Sequence, residues 1–288
     1  MATESPLPQT SGSEAARLLK LASDNIADYF DALPVEQQDT PSGAAGWGLG
    51  DLIAHMSGGT EGTIRDVSRA LKGDAGPLPE APFRKTGPDP EGRARVAQRG
   101  RESREQQADA LSANFRERNA QLFTILDGLT EEQWDMPCFH VLQLTTIRGL
   151  TLTRIAEIGL HSWDLKSGIE IAPKLLPDIV PTLLEWMPTW FTWGFDGQEQ
   201  TLASPLRYRF EVGEPLNWSW DVVASGPGFH FETPSSDPAL ATYRSDPETM
   251  ALVFLHRLPW KRANAQGLLK IDGDPAEVET FFKWFTGR

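Results

Sequence analysis

Four polar side chains on one stretch pose the first chemical question. In TTIRGLTLTRIAEIGLHSWDL, Arg154, Glu157, His161 and Asp164 stand at intervals of three, four and three. On an α-helix those intervals return to one face. Leu150, Ile155, Ile158 and Leu165 lie between them, and charged groups among apolar ones are costly to bury without partners. Two chemistries fit. Glu157 and His161, four apart, can bring a carboxylate oxygen and an imidazole nitrogen to one point, as metal sites on helices do. Alternatively, Arg154 pairs with Glu157 and His161 with Asp164, as ion pairs on an exposed face.

Two ligands do not make a site. The best third is His55 in DLIAHM, on a second helix, because bundles place metal ligands on facing helices. Two imidazoles and one carboxylate leave a coordination position open, the pattern of catalytic rather than structural sites. Asp164 is then expected to support a ligand from behind, and Arg154 to pair with a substrate carboxylate. His140, His230 and His256 have no comparable companions. Cys138, in WDMPCFH, is readable as a nucleophile beside His140 or as a small loop residue, and nothing around it suggests thiolate activation. GWGLGD (46–51) follows no strand and lacks the spacing of a dinucleotide fingerprint.

The elements that must carry these residues follow from periodicity. After a polar tail over residues 1–12, apolar residues at helical spacing predict a helix from Glu14 that Pro34 ends. LGDLIAHMSGGTEGTIRDVSRAL predicts a second, with Asp51 near its N-terminus. The Pro- and Gly-rich residues 73–92 form a long connection. A third helix is expected over about 94–127, a short one at TEEQW, and a fourth long one over about 145–167, stopping at Gly168. Seven basic residues from Arg84 to Arg104 read as a solvated face rather than a docking surface for an acidic ligand. Trp186, Trp190 and Trp193 share a helical face suited to packing. Beyond them LRYRFEV, LNWSWDVV and GFHFET alternate as half-buried antiparallel strands. ATYRS and LLKIDGD predict two more strands, and PETMALVF and AEVETFFKWF two helices. The expected organisation is a tail over 1–12, an all-helical domain over 13–175 and a smaller α+β domain over 182–288.

Composition agrees. A chain of 288 residues favours two modest domains, and 40% apolar residues with ten tryptophans can fill their cores. A net charge of −13 makes nucleic acid and anionic membrane surfaces poor partners. A single cysteine rules out an internal disulfide. MATESPLPQTSGSE lacks the regions of a signal peptide. A cytoplasmic protein is expected.

Trp47, Asp51-Leu-Ile-Ala-His55 and the run Arg154–Leu165 together resemble the mycothiol-dependent maleylpyruvate isomerase family, within the wider DinB-like group of metal-binding four-helix bundles. ATYRSDPETMALVFLHRL and LLKIDGDPAEVETFFKWF resemble the sterol-carrier-like C-terminal domain often fused to that bundle. The resemblance implies a divalent metal, commonly zinc, held by His55, Glu157 and His161. It implies mycothiol as thiol cosubstrate, with Trp47 and Arg257 as candidates to bind thiol or substrate. The long 73–105 region and the Trp-rich 186–220 region depart from the family pattern and put the substrate's identity in doubt.

A thiol near a divalent cation loses its proton and becomes a nucleophile. Sulfur that adds to an electrophile and leaves after bond rotation gives isomerisation; sulfur that stays gives S-conjugation. Transfer to an electrophilic small molecule is the preferred expectation, because it is the group's more general activity. Isomerisation of the maleylpyruvate type is the first alternative, and a non-enzymatic small-ligand-binding protein the second. A monomer and a homodimer fit equally.

Overall fold

The computed structural model describes residues 6–107, 110–196, 202 and 204–286. The chain divides into two units, Thr10–Lys85 with Pro90–Thr182, and Leu183–Arg288 with Met1–Gln9 and Thr86–Asp89. The expected helical bundle followed by a smaller α+β domain is the observed architecture.

In the helical unit α1 spans Gly12–Asp31. Ser11 caps it by accepting the Glu14 N–H at 3.2 Å, and its apolar face buries Leu18, Leu19, Ile26 and Phe30. Burial stabilises by about 1.5–3 kcal/mol for each such large side chain, which is what makes a helix of this length persist. Helix α2 spans Leu49–Ala70, and the Asp51 carboxylate accepts the Gly48 N–H at 2.8 Å at its start. Helix α3 covers Pro90–Gln107, α4 Leu111–Leu126 and the short α5 Glu131–Trp134. A hairpin of β1 (Pro137–His140) and β2 (Gln143–Thr146) leads into α6 (Ile147–Ser167), capped by Thr146. Helices α1, α2, α4 and α6 pack on one another as a four-helix bundle, and α3 lies against α2 outside it.

Four expectations change here. The single helix over 94–127 is two helices: α4 buries Leu111, Phe115, Leu122 and Phe123, whereas α3 buries only Gly92 and Gly100. The unit is not all-helical, because Cys138 and Phe139 are buried in β1. Cys138 is therefore a strand residue, not a loop one. The supposed loose tail holds a buried Leu7 and the cap of α1.

In the second unit α7 (Val180–Gly194), which begins in the first, carries Trp186 and Trp193, both buried, and contains Pro188. Strands β3 (Leu206–Val212), β4 (Trp218–Ser225), β5 (Gly228–Glu232), β6 (Ala241–Ser245) and β7 (Lys270–Gly273) form one sheet in the order β5-β4-β3-β6-β7. The first three are antiparallel as alternation predicts, but β6 runs parallel to β3, with Phe210 beside Tyr243. Helices α8 (Pro247–Phe254) and α10 (Pro275–Trp284) start at Asp246 and Asp274 caps followed by proline. The short α9 (Trp260–Ala265) was not expected. One face of the sheet is filled by rings: Phe210 stacks on Trp220 at 5.2 Å and meets Phe254 edge-on at 4.8 Å, and Tyr208 lies 4.9 Å from Phe281.

Candidate metal centre

Helices α2 and α6 pack face to face within the bundle. Their contact brings His55 from α2 to Glu157 and His161 from α6, with one ligand atom of each within 4.8 Å of the others. The His55 Nε2 lies 2.9 Å from Glu157 Oε1, and the two imidazole centroids are 5.1 Å apart, nearly perpendicular. Tetrahedral bonds of about 2.0–2.1 Å put ligand atoms about 3.3 Å apart, so this trio needs only small side-chain shifts to hold one ion. Among the described residues it is the one group of His, Cys, Asp and Glu arranged in this way.

The surroundings fit a cation. Asp164 is 1% exposed, and its Oδ2 lies 3.0 Å from His161 Nδ1. Where that carboxylate is ionised it only accepts, which puts the proton on Nδ1 and leaves Nε2 to face the other two ligand atoms. Burial opposes the ionisation of Glu157, but Arg154 and the two imidazoles outweigh it and hold the carboxyl well below the usual carboxylate range. Glu157 is thus a carboxylate before any ion arrives.

Arg154 is placed differently from its expected role. It is 1% exposed, so it does not reach out to a substrate carboxylate. Its Nη1 donates to Glu157 Oε2 at 2.5 Å, and its Nη2 donates to the Met56 carbonyl and, at 2.9 Å, to Thr60 Oγ1. Both expected pairings, Arg154 with Glu157 and His161 with Asp164, exist, but on an inward face. Pairing and ligand convergence coexist in one cluster.

Sequence reasoning missed what makes room for Arg154. Gly59 sits where a Cβ would lie 2.4 Å from Arg154 Nη1, so only glycine allows the guanidinium its place. The pair Gly58-Gly59, one turn after His55 inside a helix, was the available signal. Trp47 joins the centre from the loop before α2. Its ring lies 5.0 Å from that of His55, edge-on, and 6.2 Å from that of His161, stacked. That loop is tied to α6: the Gly43 N–H donates to the Asp164 carbonyl at 2.8 Å.

Two further residues complete the expected set. Burial, with the negative charge of Asp66, pushes the Cys138 thiol up to about 12, so it is not a nucleophile at neutral pH. Arg257 belongs to the other unit, where its Nη1 donates to the Leu255 carbonyl at 3.2 Å.

Comparison with known proteins gives these elements a context. A search of curated proteins finds no match. Among solved structures, the crystal structure of the mycothiol-dependent maleylpyruvate isomerase aligns with 87% of this chain and 93% of its own, at TM-score 0.59 and 16% identity. A histidine-to-alanine mutant of that enzyme aligns over the same shares at TM-score 0.58 and 15% identity. At such identities the likeness is one of fold. Residues 19–166 match the family model of the mycothiol maleylpyruvate isomerase N-terminal domain, a span that contains Trp47, His55, Arg154, Glu157, His161 and Asp164, and the chain belongs to that family.

Proposed function

We propose that this protein is a divalent-metal- and mycothiol-dependent enzyme acting on a small electrophile, with isomerisation of a maleylpyruvate-type compound as its reaction. The observation that carries the reading is the convergence of His55, Glu157 and His161 inside the span that matches the family model. The family's name favours isomerisation over the net S-transfer first expected from sequence. Zinc is the first candidate, because two imidazoles and one carboxylate suit it. Bound there, the ion would supply the positive charge that favours thiolate over thiol at neutral pH.

The chain's own residues do the rest. Arg154 keeps Glu157 ionised and fixed. Asp164 holds the proton of His161 on Nδ1 and aims the other nitrogen. The charges of Arg154, Glu157 and Asp164 sum to one negative. A divalent ion held there would leave one surplus positive charge, which a single thiolate would match. Trp47 forms an aromatic wall beside both imidazoles, suited to pack a thiol or substrate. Arg257 is assigned a thiol-binding role on family resemblance alone. The net charge of −13 supports small-molecule partners over nucleic acid or anionic membranes, and among the described residues no helix is long and apolar enough to cross a membrane. A cytoplasmic setting accords with the free, buried Cys138.

Elemental analysis of the purified protein tests the metal. About one divalent ion per chain is expected. His161→Ala should lose it while the circular dichroism spectrum stays; stoichiometric metal in that variant would reject the ligand assignment. Incubation of the loaded protein with maleylpyruvate and mycothiol should yield the isomer. Accumulation of an S-conjugate instead would replace isomerisation with transfer. Absent metal together with a retained apolar molecule in native mass spectrometry would replace both with a binding protein.

A further inference from the structure

Helix α3 has no apolar face to explain where it lies. Of its described residues only Gly92 and Gly100 are buried, yet it packs along α2 outside the four-helix bundle. Its contacts converge on the loop that carries Trp47. Gly100 is so close to that side chain that a Cβ would sit 2.8 Å from Cζ3 of the Trp47 ring. Arg101 donates through Nη1 to the Gly46 carbonyl at 3.2 Å. Arg104 reaches furthest. Its Nη2 lies 2.6 Å from Asp39 Oδ1 and its Nη1 3.6 Å from Asp51 Oδ1. Its guanidinium lies against the first turn of α2, where a Cβ on Gly50 would come within 2.7 Å of Nε. Asp51 in turn accepts the N–H of Gly48, the residue after Trp47.

We infer that Arg104 is a positioning residue for the metal centre: by bridging Asp39 and Asp51 it clamps α3 on the loop, and the clamp holds the Trp47 ring against His55 and His161. Arg101 and Arg104 thereby gain a purpose that a solvated face lacks. Arg104 pairs with one exposed and one buried carboxylate, so it ties a surface loop to a helix start. The geometry of the clamp is independent of any ion. Its consequence for turnover rests on the metal and thiol reading above.

Protein labelled with 5-fluorotryptophan tests the clamp directly, with Trp47→Phe assigning the Trp47 fluorine signal. Arg104→Gln should shift and broaden that signal and leave the second unit's tryptophans in place. Arg104→Lys should restore part of it, since a point charge keeps one of the two carboxylate contacts. Gly100→Ala, which pushes on the ring itself, should move the same signal without touching Arg104. In the metal-loaded enzyme Arg104→Gln should raise KM for the thiol by about fivefold and change kcat less, as expected of lost binding rather than lost chemistry. Its metal affinity should fall by less than the roughly tenfold minimum seen when a ligand's supporting partner is removed. A Trp47 signal unmoved by Arg104→Gln overturns the inference whatever the metal content. A signal that moves in a protein without metal upholds the clamp and removes only the metal reading.

Discussion

Two clusters in this molecule use the same residue types and reach opposite ends. In the helical unit, Glu157 meets one arginine and two imidazoles, and three ligand atoms still converge on one point. On the sheet of the second unit, Asp221 is fully buried and spent. Its Oδ1 accepts from Arg209 Nε at 2.8 Å, and its Oδ2 from Arg207 at 2.7 Å, from Arg209 Nη2 at 2.9 Å and from the Ser235 N–H at 3.4 Å. His230 is there too, but its Nε2 is paired with Glu232 Oε2 at 2.9 Å, and Glu232 also serves Arg207. The sheet cluster joins β3, β4 and β5, and its carboxylates are committed to Arg207 and Arg209. The lesson is that residue types do not make a site. A site needs acceptors that are fixed but not consumed.

Substitutions can break this contrast. The largest effect is expected for Arg154→Met in the metal-free protein, which leaves the half-buried Glu157 carboxylate with only His55 beside it. A loss of about 2–3 kcal/mol should show as a lower denaturant midpoint, and zinc should return part of it. A loss under about 1 kcal/mol would deny Arg154 its neutralising role. Next is Asp164→Asn, whose amide no longer dictates which His161 nitrogen carries the proton. Chelator competition should find metal affinity about 10–100-fold weaker, with the fold intact. The smallest effect on the metal centre belongs to the sheet. Asp221→Asn should leave metal content unchanged and cost about 1–3 kcal/mol at neutral pH, because the new amide turns donors toward Arg207 and Arg209.

Acid sharpens that last comparison. Burial opposes the ionisation of Asp221, but Arg209 and Arg207 overcome it and hold the carboxyl below its ordinary range. Its stabilising contribution is therefore fully present above about pH 4 and is lost as pH falls through the folded-state value. Denaturation across a pH series should show wild type losing more stability than Asp221→Asn below about pH 4. Glu157 is depressed in the same direction but is common to both proteins, so it drops out of the difference.

Much of this was legible in the sequence. The helices that hold the centre have long apolar periods, and the four-residue step from Glu157 to His161 fixes their shared face. The habit of bundles to place ligands on facing helices then pointed to His55, and the family resemblance implied the same trio. What stayed hidden depended on partners distant in sequence. Spacing placed Arg154 on the right face but could not say that the face turns inward toward Met56 and Thr60. The charged run from Arg84 to Arg104 reads as solvated, because nothing local reveals that Arg104 meets Asp39 and Asp51. Alternation marks β3 and β6 as strands but carries no information on direction, so their parallel pairing was invisible. The strands β1 and β2 are four residues each, too short for period to speak.

The two units are not consecutive pieces of chain. Residues up to Gln9 and the stretch Thr86–Asp89 belong with Leu183–Arg288, and the Gly87 N–H donates to the Trp193 carbonyl at 2.7 Å. During synthesis these early segments leave the ribosome long before the residues they join. The helical unit can finish first, while its flanks wait for the last third of the polypeptide. A single cut near residue 182 consequently cannot yield two whole halves, and a fragment that starts at 183 lacks two of its own parts.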